Sequence, residues 1–204
     1  MFDRRFQPVM KTALAAPART LAGAGVSADA LTMLGFAVGL GGVALLALRA
    51  YLPALVLLLS NRLLDGLDGA VARLTGPTDR GAFLDVALDF VFYALVPFGF
   101  ALADPARNAL AACGLLVGFM GTASSFLAFA VIAERRGISS AAFPHKGLHY
   151  LGGLTEGAET IAFFALMCLL PDWFPALAWS FAALCLITTV TRWVWGWAAF
   201  SERN

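Results

Sequence analysis

The sequence predicts an all-α, polytopic membrane protein, with six transmembrane helices preceded by an N-terminal juxtamembrane amphipathic helix. Two observations carry that expectation. The 204-residue chain is 60% hydrophobic and only 13% charged, with a mean hydropathy of +0.80, far more apolar than a soluble domain of this length. Its apolar runs also have the ~20 residues that a helix needs to cross a hydrocarbon core. A formal net charge of +1 gives no electrostatic footprint for a nucleic-acid partner. Cys113, Cys168 and Cys185 all fall inside apolar runs without metal-ligand spacing, and they read as buried packing residues. The chain divides into a cytoplasmic interfacial helix, residues 1–25, and one membrane domain, residues 26–204.

Taken in order, residues 1–25 mix Arg4, Arg5, Lys11, Pro17 and Arg19 with apolar side chains and lack the compact apolar core of a cleavable signal. Phe2, Phe6, Val9, Met10 and Leu14 form one stripe, so this helix is expected on the cytoplasmic membrane face. The first span covers residues 29–48, with Ser27 or Asp29 as N-cap and Gly35, Gly39, Gly41 and Gly42 permitting close packing. The second, residues 52–74, begins apolar and turns polar in its last third. The third, residues 81–103, has the opposite order. Gly76 and Pro77 reverse the chain between them, which brings both polar ends to one side. After a short outer turn the fourth span covers residues 108–133, with Ser124 and Ser125 as polar points. Beyond the loop of residues 134–146, the fifth covers 147–170, the PDWFP segment breaks it, and the sixth covers 176–200.

Arg4, Arg5, Lys11, Arg19, Arg80, Arg135, Arg136, Lys146 and Arg203 collect on one side of this arrangement, against only Arg49 and Arg107 on the other. The positive-inside rule then makes both termini and the polar ends of the second and third spans cytoplasmic. Trp173, Trp179, Trp193, Trp195 and Trp197 fall near span ends, as interfacial aromatics do.

The chemistry concentrates in residues 65–89. Asp65, Asp68, Gly69, Ala72 and Arg73 share one helix face, and Asp85 and Asp89 share a face of the next helix. Four carboxylates converging across one helix pair repel, and divalent cations are the natural neutralising partner. Three readings are open from the residues. Asp65 or Asp68 can pair with Arg62 or Arg73 in a structural network, which leaves Asp85 and Asp89 without an evident cation. Carboxylates in a bundle also mark ion pathways, although the outer runs LPALVLLLS and FVFYALVPFGF are apolar and close that side. The third reading is an enzyme. Oxygen-only ligation suits Mg²⁺ or Mn²⁺, not zinc, and two such ions about 3.5–4 Å apart can hold a diphosphate for displacement at phosphorus. Gly69, Ala72 and Gly81 leave room for a ligand, Arg73 can meet a phosphate, and one carboxylate can stay free as a base.

These residues resemble the signature of the CDP-alcohol phosphotransferase family: Asp65-x-x-Asp68-Gly69-x-x-Ala72-Arg73, seven residues, then Gly81-x-x-x-Asp85-x-x-x-Asp89. The resemblance covers nearly the whole chain, because that family has a six-helix membrane core behind a juxtamembrane helix. It extends to small bacterial inner-membrane members through NRLLDGLDGA and YLGGLTEG, while VSADALTMLG is similar to the family's entry to its first span, with Ala28-Asp29 in place of the usual Pro-Asn. The resemblance implies transfer of a phosphatidyl group from CDP-diacylglycerol to a small polar alcohol, with release of CMP. It makes Asp65, Asp68, Asp85 and Asp89 the ligands of two Mg²⁺ or Mn²⁺ ions, with Asp89 also the base. Asp68, Gly69, Ala72, Arg73 and Gly81 would bind CDP. It also implies a homodimer in the bacterial inner (plasma) membrane, with the active site cytoplasmic.

The acceptor is read from other residues, and they point in two directions. Glu156 and Glu159, three apart in the fifth span, would favour an amine or hydroxyl donor, or else hydrogen bond to Arg192, Thr155 or Thr160. Arg135, Arg136 and Lys146 would favour a phosphorylated acceptor, or else only fix topology. His145 and His149 read as interfacial residues. Analogy puts glycerol 3-phosphate first, with inositol phosphate, serine or an amino alcohol as alternatives. The competing class is a non-catalytic protein that binds CDP-lipid or metal.

Overall fold

The computed structural model describes residues 3–137 and 155–201, with side chains from Thr12 onward, and among these residues all regular structure is helical. The first helix, α1 (Asp3–Gly23), docks its later turns on α3 (Tyr51–Thr75), burying Leu14 and Ala18 against Leu67, Ala70 and Val71. That accounts for the last residue of the expected apolar stripe. The side chains of Phe2, Phe6, Val9 and Met10 lie outside the described residues.

Helix α2 (Ala28–Ala47) begins at Ser27, whose hydroxyl accepts the Ala30 N–H at 3.2 Å. With Ser27 as the cap, Asp29 is left free in the first turn for a tertiary partner. The turn between α3 and α4 (Asp79–Ala103) uses Gly76 at φ 98°, a backbone region costly for other residues, and Thr78, whose hydroxyl accepts the Gly81 N–H at 3.1 Å. That cap starts α4 two residues ahead of expectation. The reversal sets α3 and α4 antiparallel, and α2 packs against both. It comes very close: a Cβ built on Gly39 would stand 2.8 Å from the Phe92 ring.

Asp104 accepts the Arg107 N–H at 3.2 Å and Pro105 occupies the first turn, so α5 (Pro105–Arg135) also starts earlier than its apolar run. A single 3₁₀ turn, Pro171–Trp173, stands at the PDWFP break between α6 (Gly157–Leu169) and α7 (Phe174–Ser201). Helix α6 begins at an N-cap on Glu156, not ten residues earlier as expected; residues 147–154 of the expected fifth span lie outside the described residues. The main core is built from Leu46, Leu58, Phe92, Val96, Phe100, Leu115, Phe164, Phe174 and Phe181. At the end of the bundle away from the aspartates, Arg49 meets Asp104 at 3.8 Å and Arg107 meets Asp172 at 3.0 Å.

The chain is a multi-pass membrane protein by these helices. Four of them (α2, α4, α5, and α7 with its 3₁₀ turn) are long and apolar enough to cross a bilayer. The other two expected spans do not meet that standard among the described residues. Helix α3 has the length but carries Arg62, Asp65, Asp68 and Arg73, and α6 has 13 residues. The structure also corrects one cysteine: Cys168 and Cys185 are buried as expected, but Cys113 is exposed on α5.

Helices α5 and α7 pack through small residues, and a Cβ on Gly118 would fall 2.9 Å from Cys185 Cβ and 3.3 Å from the Ala182 backbone. Gly118→Val therefore forces the helices apart. The expected loss is about 1–3 kcal/mol, seen as a lower thermal unfolding midpoint of the purified protein in detergent.

Candidate active site

The α3–α4 reversal brings the aspartates together. Ligand oxygens of Asp65, Asp68 and Asp85 all lie within 4.8 Å of one another. Asp68 is buried, and the Thr32 hydroxyl of α2 donates to its Oδ2 at 2.6 Å. Three carboxylates offering only oxygen fit a hard divalent cation such as Mg²⁺ or Mn²⁺.

Asp89 is arranged differently. Its Oδ1 sits 2.6 Å from Arg62 Nη1, while Asp65 Oδ2 is 3.6 Å from the same nitrogen. That oxygen is buried and accepts no aligned hydrogen bond among the described residues, so the guanidinium charge is what answers it. Arg62 is itself held firmly. Its Nε donates to Asn61 Oδ1 at 2.7 Å, its Nη1 donates to the Tyr93 hydroxyl at 3.1 Å, and its guanidinium rests 4.7 Å from the Phe92 ring centroid. Asn61, also buried, donates to the Gly35 carbonyl of α2 at 2.8 Å. The expectation that Asp89 lacks a cation is thus corrected: Arg62 supplies it across the helix pair. Among the described residues no salt bridge joins Arg73 to an acid, and Arg73 lines the cavity instead.

Two cavities meet at the carboxylates. A crevice of about 10 Å³, room for little more than an ion or one water, is lined by Asp65, Asp68, Asp85, Asp89, Thr32, Asn61 and Arg62. Beside it is a cavity of about 570 Å³. Thr32, Asp68 and Asp85 line both, forming a shared wall. All five residues assigned to CDP by resemblance (Asp68, Gly69, Ala72, Arg73 and Gly81) line the larger cavity. Gly81 is pressed close, since a Cβ there would meet Asp29 Oδ1 at 3.0 Å, and Asp29 Oδ2 accepts from Arg80 Nε at 2.9 Å. On the other side of the crevice, Phe92, Val96 and Phe100 are fully buried, and among the described residues the polar region does not continue through the bundle. That filling disfavours the ion-pathway reading.

Sequence reasoning missed Thr32, Asn61, Asp29 and Arg80 as site residues and treated Arg62 only as one possible partner. Arg62 stands three residues before Asp65, so their shared face is legible in the spacing. Thr32 and Asn61 carry no such signal.

The residues expected at the acceptor are not gathered here. Arg135 is exposed at the end of α5, and Arg136 donates to the Phe200 carbonyl at 3.0 Å and stacks on its ring, tying α5 to α7. Glu156 and Glu159 stand at the start of α6, not in mid-helix. They form a capping box at the start of α6, where the Glu156 N–H donates to Glu159 Oε2 at 3.2 Å. None of these four lines either cavity beside the aspartates. Lys146, His145 and His149 lie outside the described residues.

Residues 26–198 match the family model of the CDP-alcohol phosphatidyltransferases. The chain is 55% identical over 195 residues to the Inner membrane protein YnjF of Escherichia coli, covering 96% of this chain and 94% of that one. It is 28% identical over 199 residues to the archaetidylinositol phosphate synthase of Methanothermobacter thermautotrophicus, covering 95% and 93% of the two chains. Among solved structures, the Mycobacterium tuberculosis phosphatidylinositol phosphate synthase with CDP-DAG bound shares the fold at a TM-score of 0.69 and 22% identity, over 94% of this chain and 97% of that one. The same synthase in complex with manganese and citrate gives a TM-score of 0.67 over 94% and 92%.

Proposed function

The chain belongs to the CDP-alcohol phosphatidyltransferase family, and is therefore a transferase of substituted phosphate groups; on that premise we propose that it moves a phosphatidyl group from CDP-diacylglycerol to a phosphorylated polyol at the cytoplasmic face of a bacterial inner membrane. The observation that carries this is the shared wall. Oxygens of Asp68 and Asp85 belong both to the three-carboxylate group and to the cavity lined by Gly69, Ala72, Arg73 and Gly81. A nucleotide in that cavity can reach the aspartates with its pyrophosphate.

Asp65, Asp68 and Asp85 would hold Mg²⁺ or Mn²⁺, and Asp89 lies within the same crevice for a second ion. When bound, these ions neutralise the pyrophosphate and the departing CMP. Gly69, Ala72 and Gly81 admit the CDP moiety against the helix backbones, and Arg73 faces its phosphates. The acceptor hydroxyl oxygen attacks the phosphorus that carries diacylglycerol, and the bond from that phosphorus to the CMP oxygen breaks. Asp89 takes the hydroxyl proton, and CMP leaves with the electron pair. Six spans, with α3 and α6 counted, and a homodimer complete this reading.

Glycerol 3-phosphate, the first acceptor by analogy, gives way to an inositol phosphate. The relatives that carry a named activity make inositol phosphate lipids, one of them across nearly the whole chain. The direct test is labelled CDP-diacylglycerol offered to the purified protein with inositol phosphate, glycerol 3-phosphate, serine and amino alcohols. Release of CMP with inositol phosphate and a product of matching mass supports the proposal. No CMP with any acceptor leaves only a binding protein.

Asp89→Asn should reduce turnover by about 10²–10⁴-fold, the range of a general base, while CDP-diacylglycerol still binds; undiminished turnover removes Asp89 from that role. Asp68→Ala should lose the rise in melting temperature that added Mn²⁺ gives the wild-type protein, and a wild-type response would show that Asp68 is no ligand.

A further inference from the structure

Arg80 is no part of the family signature, and as a cation at a helix start it reads from sequence only as a topology signal. In the structure it reaches from α4 to α2, where its Nε and Nη2 both donate to Asp29 Oδ2, at 2.9 and 2.5 Å. We propose that Arg80 is the positioning residue for Asp29, fixing one carboxylate oxygen so that the other, Oδ1, faces the cavity as the acceptor for the amino group of cytosine. This rests on the reading of the cavity of about 570 Å³ as the CDP site.

Asp29, Arg80 and Gly81 all line that cavity. While Oδ2 receives both Arg80 nitrogens, Oδ1 accepts no hydrogen bond among the described residues. It stands 3.0 Å from the place that a Cβ on Gly81 would take, so glycine at that position leaves the oxygen uncovered. Depth then selects the part of the nucleotide that arrives there. Asp29 precedes Thr32 by about one turn of α2, and Gly81 precedes Asp85 by about one turn of α4. Thr32 and Asp85 belong to the wall shared with the crevice. With the pyrophosphate at that wall, the remote end of the ligand, between Asp29 and Gly81, is the base.

An ionised carboxylate oxygen only accepts hydrogen bonds. Cytosine presents an amino donor where uracil presents a carbonyl oxygen. One fixed oxygen of Asp29 therefore attracts the first base and repels the second. Arg80 is 80% exposed and Asp29 22%, so the ion pair adds little to stability and its effect is orientation. The pair also divides the work of two cavity arginines. Arg80 is engaged by Asp29, whereas Arg73 has no salt bridge among the described residues and is left for phosphate.

The test reads base preference, not turnover. Full-length protein in lipid nanodiscs holds labelled CDP-diacylglycerol with Mg²⁺ and no acceptor, and unlabelled CDP and UDP compete for the site. CDP should displace the label at about tenfold lower concentration than UDP, as a hydrogen bond to a charged group allows; equal competition overturns the proposal. In Asp29→Asn, Arg80 should take the amide oxygen and turn the amide NH₂ to the cavity, which inverts the preference to favour UDP by about threefold or more. An unchanged ratio there overturns it. Arg80→Gln frees the carboxylate and should lower the preference for CDP by about two- to fivefold, the range of an exposed ion pair. Equal loss of CDP and UDP in Arg80→Gln, with their ratio kept, would make Arg80 a phosphate contact and end the proposal. Both changes together decide the positioning role. Without Arg80 the introduced amide turns freely, so CDP and UDP should compete within about twofold of each other. Inversion as strong as in Asp29→Asn alone overturns it. Failure of either nucleotide to displace the label from the wild-type protein is a separate result, which removes the CDP reading and this inference with it.

Discussion

Mutual repulsion among carboxylates at the end of an apolar bundle is the constraint to which the surrounding structure answers. Asp65, Asp68 and Asp85 are crowded within 4.8 Å, with Asp89 one turn further along α4. Such a group is unfavourable in low dielectric unless opposite charge or hydrogen-bond donors face it. Thr32 supplies a donor to Asp68 and Arg62 supplies charge to Asp89, leaving the center of the group for hard cations. Active sites tolerate this kind of local conflict because the ligand resolves it.

Helix α2 makes the conflict sustainable without contributing a carboxylate to the cluster. Its glycine face allows it to press against α3 and α4, with Gly39 against Phe92 and Gly35 against Leu64. At that distance the Thr32 hydroxyl reaches Asp68, and the Gly35 carbonyl receives Asn61, which in turn holds Arg62. A wider separation would break the Thr32–Asp68 and Asn61–Gly35 bonds at once. Close helix packing in the membrane and orientation of the acidic side chains are therefore the same structural fact.

The two ends of the bundle differ for a physical reason. Around the aspartates there is a cavity of about 570 Å³ with charged and small residues on its wall. Toward the other end, stacked aromatics such as Phe100 and Phe174, with ring centroids 4.5 Å apart, fill the interior. Surface pairs of Arg49 with Asp104 and Arg107 with Asp172 lie at the connections there. An amphiphilic donor whose nucleotide is water-soluble and whose chains are not suits a site open at one end and packed at the other.

Much of this was legible in the sequence. Apolar run length gave four of the expected spans, since the bilayer sets it, and the aspartate spacing gave the carboxylates that stand together, since helical periodicity fixes which side chains share a face. The capping residues Thr78 and Asp104 shifted helix starts by only a few positions, because a cap acts on backbone groups outside the apolar run. Glu156 and Glu159 were misplaced for the same reason: two acids three apart read as one face of a span, but their carboxylates serve the first turn of α6. What tertiary structure alone decided was the partnership of Arg62. Periodicity placed it beside Asp65 on α3, yet its nearest acid, Asp89, is 27 positions away on α4. Which of several acids a cation chooses depends on distances across a helix pair, and those are set by packing, not by the order of residues along the chain.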